Sequence, residues 1–135
     1  MLPVKTWRSQ FDERLPIYEQ IAARFCRSLV SGEAQPAQRI PSIRDLALEL
    51  GVNANTIARA YQEMERDGLI YSKRGMGFFI VEDASVVERV KGTMVQQAVG
   101  NFVDEMRSLG FEDRGILEEL QSYMERGDGS AVAES

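Results

Sequence analysis

Asn55, Ala58, Arg59 and Gln62 stand at i, i+3, i+4 and i+7, so on a helix they share one face. A solvated helix face is more often rich in Glu and Lys. This one offers two amides, a guanidinium and a small residue, with no carboxylate among the four. Asn and Gln can pair bidentately with adenine and Arg with guanine, while alanine permits close approach. Thr56 lies beside them, Asn53 stands where a helix N-cap is expected, and both are counted with this face as candidate DNA contacts. Ile57, Ala60, Tyr61 and Met64 repeat the apolar spacing on the other side and would face a core.

The flanking elements decide whether such a face can reach DNA. A first short helix is expected to open at Ser42, with Asp45 three residues on, and to bury Ile43, Leu46, Ala47 and Leu50. Gly51 can take the positive φ that ends it. Two short helices across so tight a turn read as a helix-turn-helix, whose second helix enters the major groove. Arg44 lies near the start of the first helix and off its apolar face, a position that reaches backbone phosphate. Asp67 and Gly68 close the second helix, and two strand-like runs follow, Leu69–Ser72 and Phe78–Val81. Between them Lys73-Arg-Gly-Met-Gly77 makes a basic glycine turn, so a small β-hairpin is expected. Arg74 and Gly75 at its tip would bring a cation and bare backbone to phosphate or the minor groove. A basic hairpin alone says little, but directly after a helix-turn-helix it reads as a wing.

These blocks resemble the GntR family of bacterial transcription regulators over residues 11–81. Leu15-Pro-Ile-Tyr-Glu-Gln-Ile21 resembles the family's opening helix. Ser31-Gly-Glu, Pro36 and Arg39-Ile-Pro-Ser42 are similar to its connector. Glu63-Met-Glu-Arg-Asp-Gly-Leu-Ile70 and Arg74-Gly-Met-Gly-Phe-Phe79 resemble its remaining blocks. Asn53-Ala-Asn-Thr-Ile-Ala-Arg-Ala-Tyr61 is similar to the short YtrA-type subfamily, where Asn-Pro-Asn-Thr is usual; Ala54 departs from that proline. The resemblance implies DNA contact by the arginine matching Arg44, dimerisation through a short C-terminal helical pair, and control of transporter genes.

Beyond the wing, Ser85 and Glu88 suggest a capping box that opens a long helix. Val87, Val90, Met94, Ala98, Phe102 and Met106 form one stripe, widened by Val95, Val99 and Val103, running to about Leu109. Gly110 ends it, and Asp113 is expected to cap a second helix with Ile116, Leu117, Leu120, Tyr123 and Met124 on one side. So wide a stripe needs a larger partner surface than one small domain offers. Val90, Met94, Phe102, Met106, Leu117 and Leu120 are therefore assigned to a homodimer seam, with packing on the chain's own domain as the plainer alternative. Helix-turn-helix proteins commonly read paired half-sites as symmetric dimers. A pocket for an unidentified small-molecule effector is a further use of the same stripe. The expected organisation is mainly α with a small β-hairpin: a winged helix-turn-helix over residues 11–82, a two-helix dimerisation and effector segment over 84–126, and a disordered tail over 127–135.

Composition bounds the function. The 135 residues are 44% hydrophobic, enough for a core, and carry a net charge of −5. Residues 1–83 hold eleven Lys/Arg and eleven Asp/Glu, whereas 84–135 hold five and ten, so the acidic excess lies away from the proposed DNA face. A local basic patch can still bind phosphate, though this balance argues against strong non-specific affinity. The chain has no histidine, the commonest general base and metal ligand. Glu63/Asp67 and Glu118/Glu119 fall on expected helix surfaces, and Gly75 and Gly77 lack the strand-to-helix context of a phosphate loop. No catalytic residue, metal site or cofactor is expected, and Cys26 reads as a small buried side chain. No apolar run approaches membrane-span length, and Lys5 and Arg8 precede no apolar signal core, which points to the cytoplasm, on the nucleoid when DNA is bound.

The sequence thus reads as a DNA-binding transcription regulator, a repressor that binds a palindromic double-stranded operator as a homodimer. The alternative is a winged-helix module that binds another protein; a salt-sensitive shift of promoter DNA separates the two.

Overall fold

Residues 2–127 are described by a computed structural model, which divides into two compact units at Gly92. In the first unit α1 (Ile17–Ser31) buries Ile21, Phe25 and Leu29 along one stripe and ends at Gly32, whose φ is +85°. α2 (Ile43–Leu50) starts as its sequence dictates: the Ser42 hydroxyl oxygen accepts the Asp45 N–H at 3.0 Å. Gly51, at φ +65°, ends it in the left-handed conformation a turn this short requires. α3 (Ala54–Arg66) is capped by Asn53, whose Oδ1 accepts the Asn55 N–H at 2.7 Å. Ile57, Ala60, Tyr61 and Met64 are all buried, as their spacing requires.

The wing is larger than a hairpin. β2 (Ile70–Lys73) pairs antiparallel with β3 (Gly77–Ile80), and a third strand, β1 (Arg39–Ile40), pairs with the other edge of β3. Two residues are too few to show an alternating pattern, so β1 is invisible in the sequence. The register sets Arg39 opposite Phe79 and Phe79 opposite Tyr71, with Ile40, Ile70 and Ile80 buried from the three strands.

The core also reaches ahead of residue 11, where the sequence places the domain's start. Leu2, Val4 and Trp7 are buried in an N-terminal segment that makes two 3-10 turns, Val4–Thr6 and Arg8–Gln10. Trp7, Phe25, Tyr61 and Phe78 make successive edge-to-face contacts with ring centroids 4.8, 5.9 and 4.9 Å apart. This chain of rings ties the N-terminal segment, α1, α3 and β3 together. The Tyr61 hydroxyl donates to the Pro41 carbonyl at 2.6 Å, and burial pushes its pKa upward, so it remains a donor. Arg8 donates to the carbonyls of Leu50 and Gly51, the latter at 2.9 Å, clamping the turn between α2 and α3.

α4 spans Ala84–Ser108. Its cap is Asp83 and not the expected Ser85: the Asp83 carboxylate accepts both the Ser85 N–H, at 2.9 Å, and the Ser85 hydroxyl, at 2.8 Å. A carboxylate can satisfy two donors at once, which draws Ser85 into the helix. Val86, Val87 and Val90 pack on the first core, and Arg89 donates to the Asp67 carbonyl at 2.8 Å. The unit division thus falls inside α4 and not at the Glu82-Asp83 turn, because these first turns are held by the winged helix.

The second unit holds the rest of α4 and α5 (Asp113–Glu125), with Gly110 at φ +94° after α4. Asp113 is the first residue of α5 and not its cap; Glu112 occupies that place without a side-chain hydrogen bond. The Asp113 carboxylate is engaged by Arg107 at 3.0 Å. Residues 128–135, most of the expected tail, lie outside the described residues.

Candidate nucleic-acid interface

From Ala54 to Gln62 the recognition-type helix α3 carries no acidic residue. Asn55, Arg59 and Gln62 are exposed and Thr56 and Ala58 half-buried, while the opposite side of the helix is locked in the core. Asn53 is exposed, but its carbonyl oxygen is engaged as the cap, which leaves only its NH2 group for a ligand. A capped helix start carries partial positive charge and suits a phosphate approaching it. Arg44, the second residue of α2, is exposed.

Arg59 is the best-positioned of these groups. Its guanidinium carbon lies 3.9 Å from the centroid of the Tyr18 ring on α1. The packing of α1 on α3 brings that ring under it. Tyr18 was not legible as a site residue, because its place in Leu15-Pro-Ile-Tyr says nothing of which residue it meets across the core.

At the wing Lys73 lies over two rings, 5.1 Å from the Phe79 centroid and 5.9 Å from that of Tyr71, which themselves stack at 5.7 Å. Arg74 and Gly75 are exposed at the tip, Gly75 with φ +77°. Gly77, at φ +104°, holds a backbone conformation that favours glycine, and a Cβ there would press on the Arg39 side chain, 3.3 Å from its Nε. Arg39, an exposed cation of the connector strand, therefore lies across the base of the wing. It is a second residue whose place only the third strand reveals. The Ser72 hydroxyl donates to Glu65 at 3.1 Å and links β2 to α3.

The residues assigned to a dimer seam fall in different places. Val90 is half-buried against the winged-helix core. Met94, Met106 and Leu120 are half-buried, and Phe102 and Leu117 are exposed, 38% and 67%. Ile116 is the one buried hydrophobic of the described residues beyond Gly92, while Val95, Val99, Leu109, Phe111, Tyr123 and Met124 are also exposed. A helical pair that leaves this much apolar surface in water is unusual for a monomer.

An open groove of about 830 Å³ lies between the N-terminal segment and α2, lined by Leu2, Val4, Pro41 and Leu48 with Lys5, Thr6, Asp45 and Glu49. Among the described residues no three His, Cys, Asp or Glu side chains stand close enough to hold a metal ion. Burial raises the pKa of the Cys26 thiol, with Asp67 adding to the effect, which disfavours the reactive thiolate. Among the described residues no helix is long and apolar enough to cross a membrane.

Comparison with known proteins agrees with this geometry. Residues 17–80 match the family described as bacterial regulatory proteins, gntR family. The chain is 39% identical over 119 residues to the uncharacterized HTH-type transcriptional regulator YhcF of Bacillus subtilis, covering 88% of this chain and 98% of that protein. It is 34% identical over 118 residues to the HTH-type transcriptional repressor YtrA of the same organism, covering 85% and 88%. The solved structure of a GntR family transcriptional regulator from Listeria monocytogenes superposes with a TM-score of 0.76 at 35% identity, over 83% of this chain and 98% of that one. With its helix-turn-helix, its wing and relatives matched along nearly their whole length, the chain belongs to the GntR family of bacterial transcription regulators.

Proposed function

We propose that this regulator is a repressor that binds a two-fold symmetric operator as a homodimer and thereby blocks polymerase. The observation that carries this reading is the exposed, carboxylate-free face of α3, Asn55, Arg59 and Gln62, on a helix whose other side is buried. That face reads base edges, with Thr56 beside it. Arg44, the free amide group of Asn53, and Arg74 with Gly75 at the wing bind the phosphates that fix register. Sharing one core holds α2, α3 and the wing to a common frame, so the contacts are made together. The name of the relative YtrA supports repression.

The unsatisfied apolar surface around Phe102 and Leu117 supports dimerisation. Two-fold pairing would set the recognition helices of the two copies on half-sites about 34–36 Å apart, or a multiple of that. A small-molecule effector bound to the C-terminal helices would act by changing that spacing. The protein works by binding in the cytoplasm, with no catalytic step, metal or cofactor.

Electrophoretic shift of genomic fragments across a salt series tests the reading. Retention of a discrete set of fragments, lost steeply as salt rises, is the expected result. No DNA retained at low salt would leave the protein-binding module as the better account.

A further inference from the structure

Among the described residues the Arg59 guanidinium makes no hydrogen bond or ion pair, although Glu63 follows one turn later on the same helix. Its one recorded partner is the face of Tyr18, 3.9 Å away. We propose that Tyr18 is a positioning residue for sequence readout: its ring holds the Arg59 guanidinium flat, as a planar fork aimed at guanine, before DNA arrives. The proposal rests on the reading of α3 as the recognition helix and adds the base it reads and the residue that prepares it.

The geometry supports this in three ways. Stacking occupies only the faces of a guanidinium and leaves the N–H donors along its edges unspent. Guanine presents O6 and N7 as a coplanar pair of acceptors in the major groove, which an edge-on fork matches bidentately. A free arginine would lose much of its rotamer freedom on binding, and prior immobilisation removes that cost from the association step. Tyr18 is itself well placed to be a rigid support. It is half-buried on α1, which packs against α3, and its hydroxyl donates to Glu19 at 3.2 Å. The hydroxyl points at the carboxylate, so the ring face alone serves Arg59 and phenylalanine should replace tyrosine without loss.

The experiment compares wild type, Tyr18→Leu, Tyr18→Phe, Arg59→Ala and the double variant Tyr18→Leu/Arg59→Ala. Each is titrated with the duplex that wild type selects from a random library and with a duplex in which guanines of that site are replaced one at a time. Tyr18→Leu should weaken binding to the selected site about two- to fivefold, the range expected of one such stack. It should leave affinity for unrelated DNA and the salt dependence unchanged, Tyr18→Phe should match wild type, and one guanine replacement should abolish the difference between Tyr18→Leu and wild type. In the Arg59→Ala background Tyr18→Leu should cost nothing more.

A loss that persists in that background, an equal loss on all DNA, or tighter binding by Tyr18→Leu would overturn the proposal; the last would mean that the ring sequesters Arg59. If wild type selects no DNA at all, it is the recognition-helix reading that fails. The stack is then judged in the free protein: the Arg59 Nε–H resonance should lie upfield in wild type and Tyr18→Phe and return toward its ordinary position in Tyr18→Leu. An unmoved resonance would show that no such positioning exists.

Discussion

Asn55 and Asn53 divide their labour by where their hydrogen bonds go. The Oδ1 of Asn53 is spent on the backbone N–H of Asn55, so Asn53 starts the helix while the Asn55 side-chain amide stays open for a base. Asn55→Ala should therefore weaken the selected operator by about 1–3 kcal/mol and relax preference at one base pair. Arg74→Ala, at the exposed wing tip, should weaken all sequences alike and reduce the slope of log affinity against log salt by about 1. Fluorescence anisotropy across a salt series measures both. An operator preference unchanged by Asn55→Ala would refute the assignment of α3 as the reading element.

Among the elements, α4 carries the clearest pH dependence. The Ser85 hydroxyl and then the Ser85 N–H bond to the Asp83 carboxylate and hold its pKa below the ordinary 3.8. A depressed carboxylate pKa contributes stability that is present above the unfolded value and is lost as pH falls through the folded one. The first turn of α4 should thus fray in acid below about pH 4. Asp83→Asn keeps a side-chain acceptor but does not titrate in this range, so it should remove the acid response of the Ser85 amide resonance while leaving the helix start formed. A wild-type Ser85 amide that shows no change as the pH falls from 6 to well below the ordinary carboxylate range would rule out this cap. The three-stranded sheet shows a different dependence on context: β1 exists because Arg39 and Ile40 meet the free edge of β3, not because of any local preference.

For the whole molecule, the decisive feature is apolar surface that the chain does not cover by itself. Phe102, Leu117, Tyr123 and Met124 are exposed in a unit whose one buried hydrophobic, among the described residues, is Ile116. Pairing with a second copy would bury them, and Phe102→Asp would set an unpaired charge in that seam. Wild type should sediment as a dimer at micromolar concentration and Phe102→Asp as a monomer with the winged helix still folded. A wild-type monomer that binds palindromic DNA one copy at a time would exclude the dimer reading. The acidic excess lies in residues 84–135, whereas residues 1–83 are neutral overall.

By itself the sequence determined the helix-turn-helix, its caps at Ser42 and Asn53, the turn glycine at Gly51, the buried face of α3 and the family. These follow from local rules: a 3.6-residue period, a side chain that bonds its own backbone, and a glycine that tolerates positive φ. The choice of Asp83 over Ser85 as a cap was a competition between two capping side chains two residues apart, which pattern alone does not resolve. Only the tertiary structure decided that Trp7 belongs to the core, that Arg8 clamps the turn, that a two-residue strand completes the wing and that Val90 packs on the winged helix. The same holds for Tyr18, which lies under Arg59 because α1 and α3 pack together. Each of these joins residues distant in sequence, and such contacts are set by the filling of a shared core rather than by any property of the segments that supply them.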